Sequence, residues 1–505
     1  MSDSGRVARN VVTTLITQML LWILSFAVVL YVPTYVGPVG MGKLSFAAAF
    51  GLVLAAFIPL GTSTVLVKEV ARDHRRVGVL LTSALALRIP FGIVAVAAAY
   101  GVAVITHVEP QTRLLVLISA VGAVVAAVND ALISTLQGLE RLPRQNAAAL
   151  LEKLLWAVAT ICVVVFHGSL WQIAAVGIVS VAVAIVVNLT AFRPSTPSNR
   201  DPSGAMPVAL DEHGSEPRAN RMPSIASLRS LASAGLPFLG WSVFMTLYSQ
   251  TDPLIIRFVT GSDANVGWYS VAAKLIGTTL FFPNAISTAV MPTLSRLHRE
   301  DAAEFRSLSR RALSIVMLCG IPIALVLVAL PDRIIEMLPF RHGFMRSIPV
   351  LRIGGVGVLL WYLGFIFGTM VIARDGQKRM FGVAMSATVI GIPLCGLFAW
   401  FTYHHGGSGA TGAMASDVLL ELYLVICYLG MLPRDSFDWS SVVFVGKCLA
   451  ASTPMALFLW WSSHLGVGLW IALPCLMIYA AMCLLLRCIT PEEMATARTL
   501  VAKKG

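Results

Sequence analysis

The stretch LYSQTDPLIIRFVTGSDANVGWYSVAAKLIGTTLFFPNAISTAVMPTLSR, residues 247–296, is apolar enough to read as lipid-spanning helix, yet it carries Asp252, Pro253 and Lys274. A charge at a helix centre facing lipid costs roughly 2.5–3.5 kcal/mol, so such residues turn toward protein or water. A proline inside a helix removes a backbone donor. Asp252 and Pro253 are therefore expected to bend their helix, free a carbonyl one turn earlier and present a carboxylate to a polar interior.

The rest of the chain has the same character. Of 505 residues 57% are hydrophobic and 12% charged, with a mean hydropathy of +0.81, against roughly 25% charged in soluble proteins. Windows of about 19 residues predict an all-α polytopic membrane protein of about 14 transmembrane helices. They fall near 11–35, 44–67, 77–105, 114–137, 147–166 and 170–192, then 231–259, 266–292, 312–330, 350–373, 381–402 and 411–432, then 442–461 and 466–488. Residues 1–192 thus form an N-lobe of six helices and 231–432 a C-lobe of six, while 433–505 hold two more helices and a cytoplasmic tail. Between the lobes, 193–230 is rich in Pro, Ser and charge and too poor in apolar residues to bury a core, which predicts a disordered cytoplasmic linker. The opening MSDSGRVARN precedes an apolar run too long for a signal peptide, so a retained first helix is expected.

Lysine and arginine give orientation. KEVARDHRR (68–76), SRLHREDAAEFRSLSRR (295–311), RDGQKRM (374–380) and the tail with Lys503 and Lys504 fall on one side, the cytoplasmic one by the positive-inside rule. Both termini share it, in a cytoplasmic (inner) membrane. The net charge of +12 then needs no nucleic acid, because basic loops beside anionic headgroups account for it. The eight cysteines sit within or at the ends of apolar runs without a CxxC pair and read as small apolar side chains. GPVGMGKL (37–44) has phosphate-loop spacing, but Leu44 stands where Ser or Thr is required and the stretch reads as an external loop. The sequence shows neither metal nor cofactor site, and no catalytic motif, which argues against an enzyme.

A weak internal repeat is present. GKLSFAA (42–48) and GWYSVAA (267–273) share G-x-x-S-x-A-A, each after the first helix of its lobe, and each is followed by a proline, Pro59 or Pro283. Repeats in equivalent places predict two six-helix lobes related by an axis along the membrane normal, around a central cavity.

Ionisable residues inside the spans are Arg88, Asp130, Glu152, Lys153, Asp252, Lys274, Arg352, Asp417, Glu421 and Lys447. Asp252 and Lys274 lie at similar depth, roughly 10–12 Å from the outer ends of their helices. They are read either as an ion pair fixing helix packing or as a titrating group beside a cation. Arg88 is expected to meet an anionic ligand group or, alternatively, Asp130 or Glu152 on a neighbouring helix. Lys153 can snorkel toward headgroups. Asp417 and Glu421, four apart, share a helix face and are candidates to tune a proton or cation site. Pro253 is the candidate hinge. GFIFG (364–368) predicts close helix packing only.

YVGPVGMGKLSFAAAFGLVLAAFIPLGTSTVLVKEVAR (35–72) and the opening stretch resemble bacterial polysaccharide transporters, the lipid-linked oligosaccharide flippases of the Wzx type in the MOP superfamily, which also holds the MATE extruders. The likeness runs through Asp252, Gly267, Tyr269, Ala272, Lys274, Pro292 and Leu294, then FRHGFMRSIPVLRI (340–353) and GATGAMASDVLLEL (409–422) with Glu421. It implies a flippase that carries a polyprenyl-pyrophosphate-linked oligosaccharide to the outer leaflet for surface polysaccharide export, by alternating access coupled to H+ or Na+. It also implies Arg88, Lys153 and Lys274 as pyrophosphate or glycan contacts, Asp252, Asp417 and Glu421 as coupling or counter-ion groups, and polymerase or export proteins as partners. A peptidoglycan-precursor (lipid II) flippase, a MATE-type drug or cation antiporter and a non-transporting scaffold stand as alternatives. Residues 11–67 lack the arginines that the precursor flippases place there, and the 193–230 linker is long for the family.

Overall fold

A computed structural model describes residues 3–190, 225–339, 343–433, 439–464, 469–486 and 488. These residues are helical almost throughout. Among the described residues eleven helices are long and apolar enough to cross a membrane, twelve if one bent pair counts as a single span. The rest of the expected fourteen correspond to a short apolar helix, Ala472–Leu485, and to the two arms of a first helix that bends instead of ending.

That first helix, α1 (Asp3–Phe57), runs through the stretch expected to be an external loop. It breaks direction only at Gly37, whose φ of 65° lies in the left-handed region that a side chain disfavours, and Pro38 follows without an N–H to give. Lys43 suited a loop by charge but is buried, its ammonium 2.6 Å from Glu109 and 2.9 Å from Gln111. After Phe57 the chain turns through Leu60 and Gly61, both with positive φ, into α2 (Thr62–Arg72). The expected span 44–67 is thus broken just after Pro59, where Thr62 closes the turn by donating to the Pro59 carbonyl from its backbone (2.9 Å) and its hydroxyl (2.6 Å).

By packing the chain forms two compact units. The first comprises Met1–Val36 and Lys43–Leu254, the second Gly37–Gly42 and Ile255–Gly505. In the first, α3 (Val77–Ile105), α4 (Pro110–Gly138), α5 (Leu142–Val165) and α6 (Leu170–Thr190) pack about α4, with α2 and α7 (Ile225–Gln250) beside them. A core of Val65, Leu66, Val70, Leu80, Ala84, Ala131 and Leu231 joins α2, α3, α4 and α7. Small residues such as Ala84 and Ala131 let these backbones approach, the usual device where lipid offers no hydrophobic drive between helices. The linker expected over 193–230 lies outside the described residues up to Pro223 and Ser224, and from Ile225 onward it is helix. The division between units falls beyond α7 and so differs from the lobe boundary expected at 193–230.

The expected single helix 231–259 is two. α7 ends at Gln250, and α8 (Asp252–Thr260) begins after Thr251. The expected span 266–292 is likewise α9 (Asp263–Thr279) and α10 (Phe281–Glu300), bent by 41°. In the second unit these pack with α11 (Ala302–Ala329), α12 (Pro331–Met337), α13 (Ser347–Ala373), α14 (Gln377–His404), α15 (Gly409–Met431), α16 (Trp439–His464) and α17 (Ala472–Leu485). Pro283 has no N–H to offer the Thr279 carbonyl four residues earlier, and the hydroxyl of buried Tyr362 of α13 donates to it at 2.7 Å.

The weak repeat proves reciprocal inside the second unit. Gly42 lies against the backbone of Asp263, four residues before Gly267, and Gly267 lies against the backbone of Pro38, four residues before Gly42. A Cβ at either glycine would strike a main-chain carbonyl. The shared pattern therefore marks one helix crossing viewed from its two sides.

α11 opens on Asp301, which accepts from the Ala303 N–H at 2.8 Å and the Glu304 N–H at 3.0 Å. The Glu304 amide first, then that of Ala303, hold this exposed carboxyl below its ordinary value. Its folded value is depressed, so the cap acts fully above the unfolded value of about 3.9 and is lost as pH falls through the lowered folded value. Asp301→Ala will speed hydrogen exchange at Ala303 and Glu304 at neutral pH, whereas Asp301→Asn, still an acceptor, will leave it near wild type. Unchanged exchange in the alanine variant would show that the cap contributes nothing.

Candidate functional site

Three elements of the first unit meet at Arg88. It stands buried on α3, and each of its five N–H donors has an acceptor. Nη1 donates to the Ala127 carbonyl at 2.6 Å and to Asp130 Oδ2 at 2.9 Å. Nη2 donates to Ser63 at 2.9 Å and Thr62 at 3.1 Å, and Nε reaches Thr62 at 3.3 Å. Ser63 in turn donates to Asp130 Oδ2 at 2.5 Å. The break after Pro59 places both hydroxyls in the first turn of α2, facing α3. Of the partners expected for Arg88, the structure selects Asp130 over Glu152, and no donor remains for an anionic headgroup.

Asp130 is the other half of the arrangement. Its side chain is 42% exposed against 1% for Arg88, so a neutralised pair shows its acidic end to an opening. That opening is a cavity of roughly 580 Å³ among α2, α4 and α7, lined by Asp130, Ser63 and Thr64, by Ser242 and Thr246, and by Phe238 and Trp241. Hydrogen bonds hold Oδ2 of the carboxylate and leave Oδ1 as the available acceptor. The Lys68 ammonium lies over the Phe238 ring, 5.0 Å from its centroid. Chemically the cavity offers one carboxylate oxygen, several hydroxyls and two aromatic side chains, with Arg88 buried behind Asp130.

The remaining expected residues are distributed elsewhere. Lys153 on α5 is half-buried, its ammonium 4.0 Å from the centre of the Trp156 ring. Asp252 opens α8 and does not interrupt a continuous helix. An acidic residue there complements the helix dipole, and Pro253 takes a first-turn position where its missing N–H costs little. The break at Thr251 thus replaces the expected bend at Pro253, with Leu254 N–H donating to the Thr251 carbonyl at 2.9 Å. Asp252 falls in the first unit and Lys274, exposed on α9, in the second.

Asp417 and Glu421 do share a face of α15, and both meet helix neighbours within the second unit. Asp417 Oδ2 accepts from the Tyr269 hydroxyl at 2.7 Å. Glu421 is 5% exposed, with its carboxylate against Gly364, so the first glycine of GFIFG makes room for a buried acid. Tyr269 and Gly364 stood in recognised patterns, but nothing local signalled a carboxylate partner about 150 or 60 residues away. Thr62, Ser63 and Trp241 carry no signal in the sequence, because isolated Ser, Thr and Trp in apolar sequence look like ordinary span residues. Asp130 carried a signal, being a carboxylate deep in a span.

Residues 7–298 match the family model described as "Polysaccharide biosynthesis protein", and residues 216–481 match "Lipid II flippase MurJ". A curated relative, "Probable lipid II flippase MurJ" of Haemophilus influenzae, is 28% identical over 226 residues, and the match spans 42% of this chain and 42% of the relative's length. Among solved structures, "Lipid II flippase MurJ, inward closed conformation" aligns with a TM-score of 0.74 at 12% identity, covering 97% of this chain and 100% of that one. An inward-facing multidrug resistance MATE family transporter of the MOP superfamily aligns at 0.63 and 16% identity, covering 81% and 93%. At these identities the structural likenesses establish the fold.

Proposed function

Because the chain belongs to the polysaccharide biosynthesis protein family and to the lipid II flippase family, we propose that it flips a polyprenyl-pyrophosphate-linked oligosaccharide across the cytoplasmic membrane. The flipped lipid would serve export of a surface polysaccharide, by alternating access driven by a cation gradient and alongside polymerase or export proteins. The bias of Lys and Arg supports cytoplasmic termini.

The cavity beside Asp130 carries this reading. Neutral sugars are recognised by hydroxyl and carboxylate hydrogen bonds together with apolar ring faces stacked on aromatic side chains, and Asp130, Ser63, Thr64, Ser242 and Trp241 supply these groups. An organic cation would gain little from a carboxylate already neutralised by Arg88. The pyrophosphate would find no free donor on that arginine, so this cavity serves the glycan part of the lipid.

In cells depleted of the protein, labelled lipid-linked precursor is expected to accumulate on the cytoplasmic leaflet and surface polysaccharide to fall, with the cell wall intact. Lysis with accumulated peptidoglycan precursor would favour the lipid II reading, which the second family match supports. Trp241→Ala, losing about one interaction of 1.4 kcal/mol, should slow translocation about tenfold in vesicles, and Asp130→Asn, which also takes the counter-charge from buried Arg88, should slow it by at least as much. Full activity in both would remove the cavity from the path of the glycan.

A further inference from the structure

α4 carries a second polar group immediately beside Asp130. Asn129 precedes it and so points about 100° away around the helix, toward α5 and α6. There Asn129 Nδ2 donates to Glu152 Oε2 at 3.3 Å, and Asn188 Nδ2 donates to Asn129 Oδ1 at 2.9 Å. Asn129 is 5% and Asn188 2% exposed. The chain then stops, for Asn188 Oδ1 is buried without a hydrogen-bond partner. All three residues lie in helices long enough to span a membrane. A carboxylate at one end and an orphaned acceptor at the other form a line of dipoles lacking one hydrogen.

The charges around Glu152 are few. α5 packs on α6 and α4. α6 brings no titratable residue. α4 brings Asp130, tied to Arg88, and Arg113 near its far end. α5 itself brings Arg144, Cys162 and Lys153, whose ammonium lies over Trp156.

We propose that Glu152, Asn129 and Asn188 form a proton-binding relay. A proton from water converts the Glu152 carboxylate to a carboxylic acid, with no change in electron count. The new O–H donates to Asn129 Oδ1 and Asn129 Nδ2 donates to Asn188 Oδ1, which requires both amides to turn over. The far end of the chain thereby changes from an acceptor to a donor. Asn129 and Asp130 are consecutive on one helix, so the relay lies next to the residue that presents the cavity carboxylate. The relay rests on the transport reading above and names its coupling ion as a proton.

The test is infrared difference spectroscopy of the full chain in lipid nanodiscs, titrated from alkaline to acidic pH. A carbonyl band of a protonated carboxylic acid is expected to grow in wild type, to vanish in Glu152→Gln and to shift in frequency in Glu152→Asp. In Asn188→Leu, which removes the end of the chain, its midpoint should move by about half a pH unit or more. A band unchanged by Glu152→Gln overturns the proposal, as does one abolished at constant pH by added Na+. Should Glu152→Gln not fold, an unshifted band in Glu152→Asp overturns it equally. Coupling fails separately if Glu152→Gln loses the band yet transports normally. The relay survives failure of the glycan reading if the band titrates while Asp130→Asn and Trp241→Ala transport at the wild-type rate.

Discussion

Arg88→Ala will destabilise the first unit by about 3 kcal/mol, the low end of the range for removing one partner of a buried ion pair. The variant removes the second donor to the Ala127 carbonyl and leaves Thr62 and Ser63 without their donor. It also leaves Asp130 charged, although that carboxylate is exposed enough to recover some hydration, which is why the upper end of the range is not expected. Thermal unfolding of the purified protein should fall well below wild type, and expression with it. Arg88→Lys should recover only part of the loss, since one ammonium cannot occupy the four acceptors that the planar fork reaches with five hydrogen bonds. The contrasting outcome is an unchanged melting temperature with impaired transport, which would mean that the arginine contacts substrate and that its buried partners are incidental.

Gly42→Val and Gly267→Val will each cost about 3 kcal/mol, the upper part of the usual range for overpacking, because each new side chain meets a main-chain carbonyl and not the end of a flexible side chain. The two glycines serve one crossing, so the second substitution finds it already opened. The double variant should therefore be only slightly less stable than either single one, a large coupling in a double-mutant cycle. Additive losses would show that the glycines act at independent contacts. Gly37→Ala tests a different property at a neighbouring position, since nothing lies near its Cβ and only the positive φ opposes a side chain.

Much of this architecture was legible in hydropathy, because a span must be apolar over its whole length and composition records that directly. The pairing of Arg88 was legible as a short set of alternatives, since a buried arginine requires an acid at similar depth. What could not be read was where helices break. Gly37 and Pro38 suggested a loop, yet the helix resumes because Lys43 finds Glu109, a partner 66 residues on in sequence. Conversely, Thr251 carries no break signal, and Asp252 with Pro253 looked like an interruption when they are a favourable start. The same limit hid the cavity. Trp241 acquires its role from Asp130 across a helix interface, and windowed sequence holds no term for that distance. The repeat illustrates the opposite case, in which a pattern weak in letters becomes strong once its two glycines are found against each other's helices.

The tyrosine that closes the bend between α9 and α10 has a bearing on how the molecule meets bilayers of different thickness. A bend whose spare carbonyl is open to water can straighten when thicker hydrocarbon demands a longer span. Here Tyr362 satisfies the Thr279 carbonyl from a buried position, so straightening would leave a polar hydroxyl stranded in the interior. The elbow is accordingly fixed, and mismatch with the membrane must be absorbed by tilt elsewhere or by the lipid itself. In thick bilayers this segment should gather the shorter-chain lipids around it.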